Sequence, residues 1–201
     1  MSSSRITTKP TRGNGLLENL LARLRARRAN KMIPTYLRNG KILDIGCGSF
    51  PYFLSHIYFR EKFAIDRSEP NANHEQIRWH TLDLNSSPCL PFEDNFFSVV
   101  TMLAVIEHLD PDSLTSLFRE VYRTLSKNGL VIITTPAAWS DRLLHLMAHL
   151  RLVSEEEIKE HVFAYTLPLI GWYFGQAGFS MNKIKFGYFE FFLNLWAIAK
   201  K

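Results

Sequence analysis

Two carboxylates lie on either side of a glycine-containing turn early in the chain. Asp44 comes just before Gly46 and Gly48, and Asp66 follows about 20 residues later. A carboxylate beside the turn would repel a phosphate and attract an amino group or a sulfonium. The two oxygens of the second carboxylate suit the vicinal hydroxyls of a ribose, although a solvated aspartate at a strand end is the alternative. The pattern indicates a site for a positively charged nucleoside.

The turn differs from the glycine fingerprint of dinucleotide-binding proteins. That fingerprint requires a third glycine at position 51, where this chain has Pro51. Proline suits the first turn of a helix but has no N–H to donate, so this helix N-terminus is a poor cradle for a pyrophosphate. The turn is therefore typical of a phosphate-free nucleoside cofactor, and S-adenosylmethionine fits that description.

The elements that must position these residues alternate between strand and helix. Apolar, β-prone runs predict strands over 41–45, 62–66, 77–84, 96–103, 130–135, 179–186 and 188–198. Capped or amphipathic segments predict helices over 51–59, 110–126 and 166–177. This alternation predicts an α/β fold with a doubly wound, mostly parallel sheet.

Length and composition indicate one domain. The chain has 201 residues, of which 46% are hydrophobic, enough to bury one core. Neither a signal peptide nor a membrane-spanning stretch is visible, so we expect a cytoplasmic protein. The only two cysteines, Cys47 and Cys89, lie in different contexts, which argues against a disulfide framework or a cysteine-based zinc site.

Positive charge is concentrated at the N-terminal end. Residues 1–41 contain ten lysines and arginines but one acidic residue, whereas the rest of the chain is mildly acidic. This distribution argues against a nucleic-acid channel across the whole protein. Residues 1–14 are polar and are predicted to be a disordered tail. Residues 15–40 are predicted to form a basic amphipathic helix, which would either lie on an anionic membrane or pack over the sheet edge or the cofactor cleft.

The order of motifs resembles that of class I S-adenosylmethionine-dependent methyltransferases, of the methyltransferase type 11-like kind. The stretch 43–49, Leu-Asp-Ile-Gly-Cys-Gly-Ser, looks like their motif I, and Glu107-His108 looks like part of their motif IV. The stretch 127–130, Lys-Asn-Gly-Leu, keeps one of the family's paired glycines. The resemblance covers about residues 40–200. It implies a Rossmann-like, seven-stranded sheet with helices on both faces and an antiparallel last strand.

The resemblance also assigns cofactor contacts. Asp66 would hold the ribose, Arg67 would stack on the adenine, and the backbone near Leu103 would face the methionine part. Asp83 would accept from the adenine amino group with help from the backbone of Leu84. The full expected set is Asp44, Gly46, Gly48, Asp66, Arg67, Asp83, Leu84 and Leu103.

Methyl transfer mainly requires alignment and exclusion of water, but a hydroxyl acceptor would need a base. His108, which follows the fourth strand, is the first candidate, although it could simply cap the next loop. His161 and Tyr165 come next. No metal is expected, because His145 and His149 lack a matching carboxylate despite their helical spacing.

Residues 137–165 form an insertion rich in apolar and aromatic residues. It is predicted to be a substrate lid, which indicates an apolar, lipid-linked or glycan-linked small-molecule acceptor; the alternative is a helix that completes the core. Two other functions remain open, a noncatalytic cofactor-binding partner protein and an RNA methyltransferase that uses the basic arm. The motif typical of base N-methylation is absent at 103–106, so nucleic acid is the less favoured partner.

Overall fold

The computed structural model describes residues 18–140, 164–190 and 192–201. Within these residues one seven-stranded sheet has the strand order β3-β2-β1-β4-β5-β7-β6. The strands are β1 Lys41–Ile45, β2 Glu61–Asp66, β3 Ile77–Thr81, β4 Phe97–Leu103, β5 Leu125–Pro136, β6 Ile184–Phe189 and β7 Asn194–Lys200. Strands β1 to β5 pair in parallel, and β7 pairs antiparallel with both of its neighbours. The predicted sheet with its antiparallel last strand is confirmed.

Helices cover both faces of this sheet. They are α1 Glu18–Met32, α2 Tyr52–Ser55, α3 Pro111–Thr124 and α4 Leu167–Ala177. One apolar core lies between the sheet and α1 with α2, and includes Ala29, Phe53 and Leu54. The other core lies between the sheet and α3 with α4. The edge at which β1, β2, β4 and β5 end is called the carboxyl edge below.

Packing of α3 against α4 follows from their sequences. Phe118 on α3 contacts the rings of Tyr173 and Phe174 on α4, with centroid distances of 5.4 and 5.1 Å. Gly178 ends α4 in the left-handed conformation, which glycine adopts without a steric penalty. Both helices lie close to the predicted bounds.

The N-terminal helix is shorter than predicted and lies on the sheet. It ends at Met32 rather than near residue 40, because Pro34 cannot continue it, and a separate 3-10 turn spans Thr35–Asn39. Ala26, Ala29 and Ile33 are buried against the sheet. Packing against the sheet is therefore observed for this face of α1, over the central strands β4 and β5 rather than over the sheet edge. The predicted tail over 1–14 lies outside the described residues.

Two other element boundaries were wrong. The helix predicted over 51–59 is a single turn, α2, since the aromatic and β-branched residues after Ser55 are weak helix formers. The strand predicted over 77–84 ends at Thr81, because Asp83 opens a turn by accepting from the N–H of Asn85.

The second half of the sheet also differs from the prediction in detail. The helix predicted over 110–126 stops at Thr124, and residues 126–129 loop out of β5 opposite Ser98, with Asn128 at φ +66°. In the last hairpin Gly187 lies inside β6 rather than in a turn, since β6 continues to Phe189 and β7 begins at Asn194. A Cβ at Gly187 would lie 2.6 Å from the Trp196 ring, so this glycine makes room for an indole.

Candidate cofactor-binding site

The turn after β1 is a glycine elbow at the carboxyl edge. Gly46 and Gly48 have φ of +70° and +68°, which favours glycine strongly. The N–H of Gly46 donates to the carbonyl of Ile65 at the end of β2, over 2.7 Å. A Cβ at Gly46 would lie 2.5 Å from a methyl of Val105, so the loops after β1, β2 and β4 pack together here.

Gly48 differs from Gly46 in what lies above it. A Cβ built on Gly48 meets no atom of the described residues within 4 Å, so its α-carbon faces open space in this part of the structure. This space is at the end of β1, beside β4, where the strand order of the sheet reverses. Ligands of open α/β sheets bind at such a switch point. The elbow therefore leaves room for a ligand to approach the backbone.

Asp66 fixes the elbow from the end of β2. It is 7% exposed. Its two oxygens accept from the backbone N–H groups of Gly48 and Ser68, over 2.7 and 2.9 Å. A carboxylate can accept about four hydrogen bonds, so these two bonds are compatible with an additional donor such as a ribose hydroxyl. Asp66 thus orders the loop, and its contact with a ribose stays a prediction.

Asp44 is a buried carboxylate with one strong partner. Thr101 on β4 is its register partner and donates to Asp44 Oδ1 over 2.6 Å. Burial raises the pKa of Asp44 to about 7; the Thr101 hydrogen bond opposes this rise, and the charge of Asp66 adds to it. A cation bound near the pair would stabilise the ionised form. The contact of Thr101 with Asp44 was not predicted from the sequence. A polar residue in an otherwise apolar central strand indicates a buried hydrogen bond of this kind.

The end of β4 lies between the elbow and β5. Leu103 is partly buried, and Ala104 has φ +60°, an unusual conformation for a residue with a Cβ. The N–H of Ala104 donates to the carbonyl of Thr134 over 2.8 Å, which holds the backbone in this conformation. Such outliers cluster at ligand sites. The contact of the backbone near Leu103 with the methionine part of the cofactor stays a prediction.

The predicted adenine contacts lie in the loops after β2 and β3. Arg67 is exposed directly after Asp66. Asp83 is exposed and accepts from Asn85 N and Ser86 Oγ, whereas Leu84 is buried. These placements are compatible with the predicted contacts, which remain predictions.

Asn85 is a residue that sequence reasoning missed. Its Nδ2 donates to the carbonyl of His108, its Oδ1 accepts from the N–H of Asp110, and its carbonyl accepts from Ser113 Oγ. It therefore ties the loop after β3 to the loop after β4. No local pattern in the sequence distinguishes this asparagine from others in turns.

The catalytic candidates are distributed around the end of β4. His108 closes a 3-10 turn over Ile106–His108 and is partly exposed. Tyr165 is fully buried beside Ala137. Burial raises the pKa of its phenol, and Tyr173 and Glu107 add to the rise, so its hydroxyl stays protonated and can only donate or accept as a neutral group. His161 lies outside the described residues.

Glu107 is buried beside these candidates. It is 2% exposed, and its Oε2 accepts from Thr135 Oγ1 over 3.0 Å. Among the described residues, no three His, Cys, Asp or Glu side chains lie together as metal ligands would. Of the predicted lid, only residues 137–140, 164 and 165 are described.

This fold and elbow define a nucleoside-binding α/β protein of the class I methyltransferase type. A family model described as "Methyltransferase domain" matches residues 15–184. The chain therefore belongs to the methyltransferase family. No curated protein matches its sequence significantly.

Solved structures share the fold at low identity. A SAM-dependent methyltransferase from Archaeoglobus fulgidus is 16% identical, with a TM-score of 0.68 over 89% of this chain and 94% of that one. A SAM-dependent methyltransferase from Thermotoga maritima is 18% identical, with a TM-score of 0.67 over 90% of each chain. A phosphoethanolamine N-methyltransferase from Haemonchus contortus, solved with S-adenosylmethionine, is 15% identical, with a TM-score of 0.65 over 89% of this chain and 52% of that one.

The chain's own residues fit this cofactor. The open space over Gly48 admits a ligand, and Asp44 and Asp66 place negative charge and acceptor oxygens beside it. The predicted cofactor, S-adenosylmethionine, is therefore the expected one.

Proposed function

We propose that this protein transfers a methyl group from S-adenosylmethionine to a small-molecule acceptor that is apolar, lipid-linked or glycan-linked. The observation that carries the proposal is the open face of Gly48 between the carboxylates of Asp44 and Asp66. When bound, the cofactor supplies a methyl group on a sulfonium. The elbow positions that cofactor at the switch point of the sheet, next to the end of β4.

The protein's share of the chemistry is alignment, exclusion of water and, for some acceptors, proton removal. Displacement at a methyl group requires the acceptor atom in line with the leaving sulfur. The backbone at Leu103 and Ala104 limits where an acceptor can stand, and His108 is our candidate for taking a proton from a hydroxyl acceptor.

Exposed aromatic residues support an apolar acceptor. Trp139 is 57% exposed and Phe192 is 66% exposed, and the N–H of Ala137 donates to the carbonyl of Leu193, so the two segments run side by side. Tyr188 packs against Phe192, with ring centroids 5.7 Å apart. Exposed apolar groups of this kind mark surfaces that bind ligands, proteins or membranes. These residues lie near the carboxyl edge, on the side of β5 and β7 away from β1.

We also propose that the outer face of α1 contacts an anionic membrane peripherally. The arginines Arg23 and Arg27 are exposed on this face, and Leu20 is 51% exposed. Basic and apolar side chains on one helix favour adsorption to anionic lipid. Among the described residues, no helix is long and apolar enough to cross a bilayer. A cytoplasmic location stays a prediction.

Transfer of a tritiated methyl group tests the proposal. Purified protein is incubated with labelled cofactor and either extracted lipids or total RNA, with the Asp66→Asn variant as the matched control. We expect label in the lipid fraction that the variant does not produce. Label in RNA would make the protein an RNA methyltransferase, and cofactor binding without transfer to any fraction would favour a noncatalytic partner.

Sedimentation with vesicles tests the membrane contact separately. We expect the protein to sediment with vesicles that contain phosphatidylserine and not with phosphatidylcholine alone. The double variant Arg23→Gln, Arg27→Gln should lose this binding and keep cofactor affinity. Equal sedimentation with both vesicle types would contradict the proposal.

A further inference from the structure

We infer that the sheet face under α1 carries a binding site for an oxyanion group of the acceptor, formed by Arg28, Thr134 and Trp196. The oxyanion is a phosphate or a carboxylate. This inference rests on the proposed methyltransferase function and adds the chemistry of the acceptor to it.

Three different elements bring these side chains together. Trp196 on β7 is the register partner of Thr134 on β5, and paired residues on antiparallel strands direct their side chains to the same face. The guanidinium carbon of Arg28 on α1 lies 5.0 Å from the centroid of the Trp196 ring. The indole is held in place because Gly187 on β6 leaves room beneath it.

Each of these side chains has a buried polar atom without a hydrogen-bond partner in the part of the chain that the structure describes. The atoms are Arg28 Nε, Thr134 Oγ1 and Trp196 Nε1, and Thr134 is fully buried. A buried polar group that lacks its hydrogen bond costs about 1–3 kcal/mol, and native proteins pair most of them. All three can donate, and two of them can only donate. A negatively charged oxygen would satisfy all three donors. Glu190 Oε1 is also buried without a hydrogen-bond partner among the described residues, but Glu190 interacts with Arg25, one turn before Arg28.

Within the described part of the chain, Arg28 also has no charge partner, unlike Arg25 on the same helix. Arg25, one turn earlier, interacts electrostatically with Glu190, and its Nε donates to the carbonyl of Leu21. Among residues 18–140, 164–190 and 192–201, no salt bridge includes Arg28. A guanidinium suits carboxylate and phosphate oxygens in particular, because its donors form a planar fork.

The position of this cluster indicates the acceptor rather than the cofactor. In the sheet, β7 lies three strands from β1, about 14 Å at the usual strand spacing. Thr134 is the register partner of Leu103, at the end of β4. An oxyanion held by Arg28 would therefore lie beyond β4 as seen from the glycine elbow, on the face of the sheet that α1 covers. Tyr188, which packs against Phe192, lies on the opposite face, because its register partner Leu195 belongs to the core under α3 and α4.

Nuclear magnetic resonance of the Trp196 indole N–H tests the inference. The signal is assigned from the Trp196→Phe variant, and the protein is saturated with S-adenosylhomocysteine so that the cofactor site is filled. Inorganic phosphate is then titrated against chloride at constant ionic strength. We expect a saturable shift of this signal, weakened about tenfold or more in affinity by Arg28→Gln and unchanged by Arg27→Gln, the adjacent exposed arginine.

A second variant tests the role of the Thr134 hydroxyl, and a second probe tests which kind of oxyanion the site binds. Thr134→Val keeps the shape of the side chain and removes its hydroxyl, so it should also weaken phosphate binding. Dihexanoyl phosphatidic acid, used below its micelle concentration, separates the sources of the oxyanion. Tighter binding than inorganic phosphate assigns the site to a lipid head group, and equal binding assigns it to a small anion; both support the site.

Two results would overturn the inference. One is a wild-type signal that shows no saturable shift, or a shift that Arg28→Gln leaves unchanged. The other is a loss of S-adenosylhomocysteine affinity of about tenfold or more in Arg28→Gln, since the oxyanion would then be the cofactor's own carboxylate. Calorimetry of the wild type with S-adenosylhomocysteine distinguishes failure of this inference from failure of the proposed function. If the proposed function is wrong, the wild type does not bind the cofactor product at all. If only this inference is wrong, the wild type still binds it.

Discussion

Thr101 and Asp44 stand opposite each other on β4 and β1, and the threonine hydroxyl donates to the buried carboxylate over 2.6 Å. This pair places an ionisable group under the glycine elbow, 3% exposed to solvent. Because burial disfavours the charged form, the state of Asp44 depends on whether a cation is present above it. The pH dependence of stability and the binding of a positively charged cofactor should both depend on this carboxylate.

The free energy of unfolding should fall as pH rises from about 4 to about 7. The pKa of Asp44 is raised from 3.8 to about 7 in the fold, so across this range the folded state holds a proton that the unfolded state has lost. The full effect is on the order of 4 kcal/mol. The isosteric variant Asp44→Asn should lack this dependence. Urea denaturation at several pH values checks it, and a parallel pH profile for the two proteins would contradict it.

Substitutions at the two elbow glycines should have different effects. Gly46→Ala should destabilise the fold by about 2–5 kcal/mol, because its Cβ would clash with Val105 in addition to the unfavourable φ. Gly48→Ala should cost about 1–2 kcal/mol, from the φ alone, but should impair cofactor binding because the methyl group fills the open space. Thermal denaturation measures the loss of stability in each variant, and calorimetry measures its cofactor affinity. Unimpaired binding in Gly48→Ala would show that the ligand does not approach this backbone.

Asp66→Asn should loosen the elbow and weaken the cofactor site. Asparagine has one acceptor oxygen, and its amide nitrogen can only donate, so the hydrogen bond from Gly48 or from Ser68 is lost at a cost of about 1–3 kcal/mol. Cofactor affinity should fall by about tenfold or more, since the ribose would also lose an acceptor. Glu69→Gln is the matched control, because Glu69 is exposed and accepts a hydrogen bond from Thr81, and it follows Asp66 in sequence, outside the elbow. If both variants bind the cofactor equally well, Asp66 has no role in the site.

His108→Gln should slow methyl transfer without changing cofactor affinity. Loss of a general base typically costs about 10²–10⁴ in rate. His56→Gln serves as the control, because His56 is exposed beyond α2 and its Nδ1 lies 2.7 Å from the carbonyl of Tyr52. The rate should be measured with the lipid fraction that accepts label. A rate in His108→Gln equal to that of the control would remove His108 from the chemistry and leave alignment as the protein's main contribution.

The glycine elbow and the sheet could be predicted because their signals are local. Residues 41–48 carry a strand and its turn in one short stretch, and the acid at Asp66 lies within the next element. The order of strands and helices then follows from general connection rules. The same reasoning located His108 and Asp83, but could not show what either side chain contacts.

Features that depend on distant contacts were missed. Gly187 sits in a strand because Trp196 on the neighbouring strand needs the space, which no local pattern reveals. Asn128 adopts a left-handed conformation within β5 opposite Ser98 rather than after a helix. The unpartnered donors of Arg28 and Trp196 likewise emerge only when α1 and β7 are brought together.

The central claim is that the elbow selects a positively charged nucleoside. Calorimetry of cofactor binding is the most direct test of it. Titrations of S-adenosylmethionine near pH 7 are run in two buffers that differ in ionisation enthalpy, with NAD as the phosphorylated comparison. We predict binding of S-adenosylmethionine with release of a proton, no release in Asp44→Asn, and no binding of NAD. Failure of both S-adenosylmethionine and S-adenosylhomocysteine to bind, or preferential binding of NAD, would contradict the account.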